Sequence, residues 1–392
     1  MLTDDQITEL RTRFPILSAK TYLYSCSQGA LSSAVEAGMA EYVTSWRTSA
    51  APWDEWMGKY EEIRAAFART IGAKPSEIAI VSSASAGINP IANSLEFSSR
   101  NRVILSEYEF PTMGHIWLAQ QQRGAHVKFV AGEDGVIPLE RYRHAIDERT
   151  AMVALTQVSF VNGFRSDVAA VTRIAHDNGA LVFLDGYQDC GTRPIDVKAL
   201  DVDFFVTGTL KYLLGPPGLG FLYVREGLAE QLNPPITSWM AQREVFAFNA
   251  QLLDPALNAR RFEGGSPPIP NIYAALPALN LLQEIGLENV EAQVSSLTRR
   301  FLAGAQALNL QIKTPPDSVG PLVVLRSHDS AAVVSLLATQ NVLTSNRHDG
   351  VRFSFHAYNN NQDVDTALEF LKDHLALMAR VDLVSTENRA SR

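Results

Sequence analysis

Cysteine is almost missing from the 392-residue chain: it has two, Cys26 and Cys190. That excludes a disulfide framework and a zinc ligand set. Long apolar runs are missing too, and none approaches the roughly 18 residues of a membrane helix. There is no basic excess, since 34 Lys and Arg stand against 42 Asp and Glu, a net charge of −8. Such a chain has no electrostatic footprint for nucleic acid, and neither a nucleic-acid nor a membrane partner is expected. The first residues, Met-Leu-Thr-Asp-Asp-Gln, lack the basic and apolar regions of a secretory signal, so a cytoplasmic location is expected. Repeats, low-complexity tracts and heptads are absent. What is present is apolar material: hydrophobic residues make up 46% and charged residues 19%. That is enough for a large core and excludes a disordered chain. At about 150 residues per domain, two or three domains are expected.

From about residue 75 to 225 short β-rich apolar runs alternate with segments of helical period. The runs are Glu77–Val81, Arg102–Leu105, Val127–Val130, Met152–Val158, Leu181–Leu184, Asp203–Val206 and Gly220–Val224. Helices are predicted between them, over Ser85–Leu95, Met113–Arg123 and Val168–Asn178. Continuous apolar runs read as strands buried on both faces, and alternation with helices implies crossover connections. The fold class is therefore α/β, with a seven-stranded, mainly parallel sheet between helical layers. Arg260–Pro270 is rich in Gly and Pro and breaks the rhythm. Beyond it the pattern predicts a long helical stretch, Ile272–Leu308, broken near Gly286-Leu287-Glu288. Strands Leu322–Leu325 and Val351–Phe355, helices Ser330–Thr339 and Val364–Ala379, and a frayed tail Ser385–Arg392 complete a smaller α+β unit.

In parallel α/β sheets ligands bind beyond the carboxyl ends of strands. Three such ends carry chemistry. Lys211 follows the run Asp203–Val206 and precedes Gly-Pro-Pro-Gly. Desolvation lowers a lysine pKa, and an unprotonated amine attacks carbonyls to form a Schiff base. A surface lysine in a strand connection is the plainer alternative. Asp185 ends Leu181-Val-Phe-Leu and is poised over the crevice, with a helix cap or Asx turn as its alternative. Ser83-Ala84-Ser85 joins the first strand to a helix, where small residues let backbone amides approach a phosphate. An ordinary capped helix would look the same.

Together, a phosphate cradle, an acid after a strand and a buried lysine downstream meet the requirements of pyridoxal 5'-phosphate. The acid keeps the pyridine nitrogen protonated, and the lysine takes the aldehyde. At this point the chain resembles the class V aminotransferase family of fold-type-I pyridoxal-phosphate enzymes, which includes cysteine desulfurases, kynureninase and isopenicillin-N epimerase-like proteins. The resemblance runs from Tyr22-Leu-Tyr-Ser-Cys-Ser-Gln-Gly29 to Arg352-Phe-Ser-Phe-His-Ala-Tyr-Asn359.

The resemblance implies further roles. Phe110, in Glu-Phe-Pro-Thr112, stacks on the pyridine ring. Gln188, in Asp-x-x-Gln, touches the phenolic oxygen, and Asn162 lines the same side. Thr209 adds a phosphate bond. Gly265 and Ser266, in Phe262-Glu-Gly-Gly-Ser, reach the phosphate of a partner subunit, which implies a homodimer with shared active sites. Arg352 takes the substrate α-carboxylate through its bidentate fork. Side-chain specificity falls to the loop Ser25–Gln28, including Gln28, to the Trp46–Trp56 stretch and to Tyr187. The division implied is an N-terminal segment 1–20, a large cofactor-binding domain 21–265 and a small C-terminal domain 266–392.

The chain also departs from its relatives. Leu210 stands where many have His and kynureninases have Tyr, and Gln188 where kynureninases have His. Cysteine desulfurases carry a nucleophilic Cys on a loop of the C-terminal half, and this chain has no cysteine after Cys190. The expectation is an enzyme acting on an α-amino acid through a Lys211 Schiff base. It is read first as a lyase or hydrolase that breaks a side-chain β bond, C–S or kynureninase-like C–C. An aminotransferase or amino-acid epimerase comes second. A catalytically silent binding protein of the same fold is the alternative from another class, and retention of Lys211, Asp185 and the cradle speaks against it. A nucleotide-binding enzyme is weaker still, because there is no Walker A motif.

Overall fold

The seven apolar runs pair into one sheet, because strands buried on both faces must satisfy their backbone groups through neighbours. The computed structural model describes residues 2–381, so the tail Ser385–Arg392 lies outside the described residues. The described helices are α1 (Asp4–Thr12), α2 (Ser33–Ser49), α3 (Trp53–Thr70), α4 (Ala84–Ser94), α5 (Pro111–Ala119), α6 (Leu139–Ala145), α7 (Val168–Asp177), α8 (Ile269–Ile285), α9 (Leu287–Ala307), α10 (Ser330–Thr339) and α11 (Asn361–Asp373). The strands are β1 (Thr21–Tyr22), β2 (Ile78–Val81), β3 (Arg102–Ser106), β4 (His126–Val130), β5 (Thr150–Thr156), β6 (Leu181–Asp185), β7 (Phe204–Gly208), β8 (Gly220–Val224), β9 (Leu322–Arg326), β10 (Val342–Leu343), β11 (Ser345–Arg347) and β12 (Gly350–Ser354).

The large sheet has the order β2-β8-β7-β6-β5-β3-β4. Strand β8 runs antiparallel to β2 and β7, and the remaining pairs are parallel. The sheet separates two cores. Ile78, Ile80, Val153, Leu155, Val182 and Leu184 face one of them. Their sequence neighbours Ala79, Val81, Ala154 and Phe183 face the other, with residues of α4 and α5. Helix α8 packs on α2 and α3 and joins the first core.

A third core gathers Phe301, Phe353, Phe355 and Val364 behind the small antiparallel sheet β11-β12-β9. Strand β1 pairs in parallel with β10, which ties the N-terminal segment to this unit. The predicted break near Gly286 is present, with Gly286 at φ +81, a conformation glycine adopts without strain. Two helices are shorter than their patterns suggested. Helix α5 gives way to a 3-10 turn at Gln120, and α11 ends at Asp373 ahead of a 3-10 turn at Leu375–Leu377.

Glu263, inside the Phe-Glu-Gly-Gly-Ser segment, is 1% exposed. Its carboxylate accepts from Arg64 Nη1 at 2.5 Å, from the Tyr60 hydroxyl at 2.5 Å and from the Ile80 amide at 3.0 Å. One acid therefore joins α3, β2 and the start of the C-terminal half. Glu263→Ala leaves the buried Arg64 without its main counter-charge. It is expected to cost about 3–5 kcal/mol. Denaturant unfolding checks this, and a loss below about 1 kcal/mol would show that the Arg64 site relaxes onto other partners.

Candidate active site

The carboxyl ends of β5, β6 and β7, the start of α4 and the hairpin β11–β12 surround a cleft of about 460 Å³. Its size falls in the usual range for small-molecule sites. Lys211 stands in it, three residues past β7. The backbone on both sides of this lysine is tied to other parts of the chain. Gly29 N–H donates to the Leu210 carbonyl at 2.8 Å, and His356 Nε2 meets the Tyr212 carbonyl at 3.0 Å. A Cβ on Gly29 would stand 2.3 Å from the Lys211 carbonyl oxygen, so only glycine fits there. The Lys211 amine lies 4.4 Å from the Tyr187 ring centroid and 5.8 Å from that of Phe110. Burial pushes its pKa down to about 8, against the pull of Asp185 and Cys26 and with help from Arg352 and Arg347.

Asp185 is the last residue of β6, and Oδ1 accepts from the Tyr187 amide at 2.8 Å. Burial raises its pKa, opposed by that amide and by Lys211. Gln188 is buried and donates from Nε2 to the Cys26 carbonyl at 3.0 Å, while its Oε1 has no partner in the protein. Ser83 caps α4, accepting from the Ala86 amide at 3.1 Å, and Ser83, Ala84 and Ser85 line the cleft at the helix start. Phe110 is 42% exposed, high for a phenylalanine beside a core, and its ring meets Phe160 edge-on at 5.1 Å. Arg352 is 1% exposed. Its guanidinium donates to Ser345 Oγ at 3.1 Å, the Phe160 carbonyl at 3.3 Å and Ser27 Oγ at 2.8 Å.

Eight of the expected site residues thus line one cleft: Ser83, Ala84, Ser85, Phe110, Asp185, Gln188, Lys211 and Arg352. Five do not. Asn162 spends its amide on a turn, donating to the Gly135 carbonyl and accepting from the Phe164 amide. The Thr209 hydroxyl donates to the Pro216 carbonyl at 2.5 Å, within the lysine's own loop. Gln28 lies beyond the lining, on the loop whose Cys26 and Ser27 do reach it. Gly265 and Ser266 are exposed, with Gly265 at φ +68 and open space around it. Among the aromatics held open for specificity, Tyr187 lines the cleft. Trp46, Trp53 and Trp56 are outside it, Trp56 buried and the other two exposed.

Sequence reasoning missed two neighbours, Arg347 and Glu109, and took in Cys26 only as part of the loop Ser25–Gln28. Arg347 borders the cleft from β11, in a polar stretch that reads as a turn. Cys26 is buried at its wall, 3.5 Å from Ser345 Oγ. Burial raises its pKa, but Arg352, Ser345, Ser354 and Lys211 together outweigh that and bring it below the usual thiol value. Cys190 is shifted the other way, upward, by burial and by Asp189. Glu109 lies behind Asp185. Ser106 Oγ donates to its Oε1 at 2.6 Å, and Oε2 has no partner. No group of acids, histidines and cysteines among the described residues has metal-site geometry.

The class V aminotransferase family model matches residues 22–367. The chain belongs to that family. It is a pyridoxal-phosphate-dependent enzyme with the type-I fold, as its motif order implied. The uncharacterized aminotransferase YcbU of Bacillus subtilis is 34% identical over 364 residues, covering 92% of this chain and 96% of its own. A cysteine desulfurase of Escherichia coli is 30% identical over 331 residues, covering 78% and 80%. The apo cysteine desulfurase of Thermococcus onnurineus NA1 superimposes with a TM-score of 0.86 at 25% identity, covering 96% and 99%. The cleft fits the cofactor on its own terms. A helix start with small residues suits a phosphate, a buried carboxylate suits a protonated ring nitrogen, the orphaned Gln188 amide oxygen leaves its side chain room to turn, and an exposed aromatic face suits a planar ring.

Glu109 generates a pH prediction. Burial raises its pKa from 4.5 to about 8, with Ser106 and backbone amides opposing and Asp185 adding to it. A carboxyl raised in the folded state contributes stability below its unfolded pKa, and that contribution is lost as pH rises toward about 8. Wild type should therefore lose melting temperature between about pH 5 and 9 more steeply than Glu109→Gln. Thermal melts across that range check it, and parallel curves would place the titration elsewhere.

Proposed function

We propose that this enzyme breaks the Cβ–S bond of a cysteine-derived α-amino acid and releases the sulfur with the product, not on itself. The observation that carries the second half is the hairpin β11–β12. It faces the cleft where a persulfide-forming desulfurase would need a cysteine-bearing loop, and it closes through His348 and Asp349 alone. Two residues leave no slack for a swinging nucleophile. Cys26, packed against the same hairpin, is 1% exposed, with its thiol 3.5 Å from Ser345 Oγ and its amide donating to Ser354 Oγ at 2.9 Å. The first half is supported by the desulfurase relatives and by the arrangement of Lys211, Asp185 and Arg352.

Bound pyridoxal phosphate would supply an aldehyde carbon and an electron-withdrawing ring. Around it we assign the following roles. Ser83, Ser85 and the α4 amides hold the phosphate. Asp185 holds a proton at the ring nitrogen, and Phe110 covers the ring face. Arg352, already oriented by three hydrogen bonds, takes the α-carboxylate. The Lys211 amine, its pKa lowered by burial to about 8, would take the Cα proton and deliver a proton to the sulfur, which leaves with the electron pair of the Cβ–S bond.

We also infer that two copies of the chain share their active sites. Rings of Trp46, Tyr42, Trp56, Trp53, Trp239 and Phe248 succeed one another across α2, α3 and the segment 237–254. Trp46 is 60% exposed, Phe248 71% and Leu253 67%. A surface this apolar calls for a cover. Gly265 and Ser266 are left free to reach across. With both cysteines unpaired, we place the enzyme in the reducing cytoplasm.

Two measurements test these readings. Purified enzyme should show a visible absorbance band that borohydride removes and that Lys211→Ala lacks. With a cysteine-derived substrate it should yield pyruvate, with sulfur in the small-molecule fraction, and the Cys26→Ser, Cys190→Ser double variant should keep most of its turnover. A keto acid that retains its sulfur would mean transamination, which the name of the Bacillus subtilis relative suggests. A persulfide on the protein would overturn the release mechanism. Separately, sedimentation should give a dimer for wild type and a monomer for Trp46→Asp combined with Phe248→Asp. An unchanged mass for the double variant would move the interface elsewhere.

A further inference from the structure

The charges that line the cleft do not balance. Three cationic side chains, Lys211, Arg347 and Arg352, face a single carboxylate, Asp185. The proposed reading uses up most of this. On that reading the start of α4 would hold the phosphate, Asp185 would serve the ring nitrogen, and Arg352 would take the α-carboxylate. Arg347 is left over. It makes no ion pair among the described residues, and its one hydrogen bond goes to the carbonyl of its neighbour Asn346, at 2.7 Å.

Its position is set by the hairpin. Ser345 pairs with Arg352 and Arg347 pairs with Gly350, in antiparallel register. Side chains on a strand alternate, so Ser345, Arg347, Gly350 and Arg352 share one face. Arg347 and Arg352 are diagonal neighbours on it, roughly 7–8 Å apart by sheet geometry. Arg352 is sunk to 1% exposure, whereas Arg347 is exposed at the rim. The residue opposite Arg347 is Gly350, where a Cβ would stand 2.6 Å from Val324 Cγ1, so no side chain from β12 itself competes for that position. Partial burial disfavours the charge on Arg347, and the like charge of Arg352 adds to that.

We propose that Arg347 is a specificity residue that binds a second anionic group on the substrate, carried beyond the sulfur. The preferred substrate is then a cysteine derivative with a carboxylate or comparable anion on the far side of the scissile bond, its α-carboxylate on Arg352 and its distal anion on Arg347. This rests on the lyase reading above. Arg suits the task because its planar fork meets a carboxylate with two hydrogen bonds and cannot lose its charge. At the rim the pair is partly solvated, so it contributes selectivity more than great affinity.

The test compares two thioethers that differ only in the distal group, S-carboxymethyl-L-cysteine and S-ethyl-L-cysteine. Cofactor-loaded wild type should favour the charged one by about tenfold in kcat/KM, through KM, and lose that preference in high salt. In Arg347→Ala the ratio should fall to near one, and in Arg347→Lys part of it should return. An equal effect on both substrates, or an unchanged ratio, overturns the proposal. If neither thioether is cleaved, the lyase reading fails and Arg347 is judged by calorimetry of the loaded enzyme with glutarate and butyrate. A dicarboxylate preference that Arg347→Ala abolishes supports the assignment. No preference in wild type, or one that survives the substitution, sinks it.

Discussion

Two hydrogen bonds to main-chain carbonyls, one on each side of Lys211, hold the centre of this molecule in place. They come from Gly29, in the N-terminal segment, and from His356, just past β12. A flexible amine is useful only if its anchor does not move, and here the anchor is fixed by parts of the chain far apart in sequence. The donor on the small-unit side is reliable because burial drives the His356 pKa down to about 4. Its ring stays neutral throughout the physiological range, with Nδ1 accepting from the Ala357 amide and Nε2 left to donate. The large sheet, the small unit and the N-terminal loop therefore meet at one residue.

That residue was legible because it obeys a topological rule. Apolar runs marked the strands, and the groups just past their carboxyl ends were the ones to question. Lys211, Asp185 and the Ser83–Ser85 turn all lie at such ends, and all border the cleft. Residues placed only by the family resemblance fared differently. Asn162 and Thr209 sit near the right strands, but their side chains serve local turns, and a local hydrogen bond leaves no periodic trace to warn of it. Arg347 was invisible for another reason. Thr-Ser-Asn-Arg-His-Asp-Gly has turn composition throughout, and a three-residue strand is too short to show alternation. Its place in the cleft comes from pairing with β12, a partner the pattern did revealingly mark as a strand but without its register.

The same lesson covers the acids. Asp185 ends a strand and was noticed, whereas Glu109 stands in a polar turn and was not, although both are buried. Their unlike environments separate them. Asp185 accepts a backbone amide and faces the Lys211 amine, which favours its charge. Burial raises both, but Glu109, pushed up to about 8, has only hydroxyl and amide help against it and also lies in the field of Asp185, which favours the neutral acid. Two buried carboxyls side by side can thus hold one negative charge between them, and the one beside the cleft keeps it.

The shortness of the turn between β11 and β12 has an entropic consequence. A long loop that visits an active site must be ordered on each visit, and each ordered residue costs on the order of 1 kcal/mol or more. A wall made of a hairpin closed by two residues has already lost that freedom when the protein folds. Binding at Arg352 and Arg347 then meets a surface that is rigid before the ligand arrives, so recognition is a matter of complementary shape and charge, with no gate to open or shut.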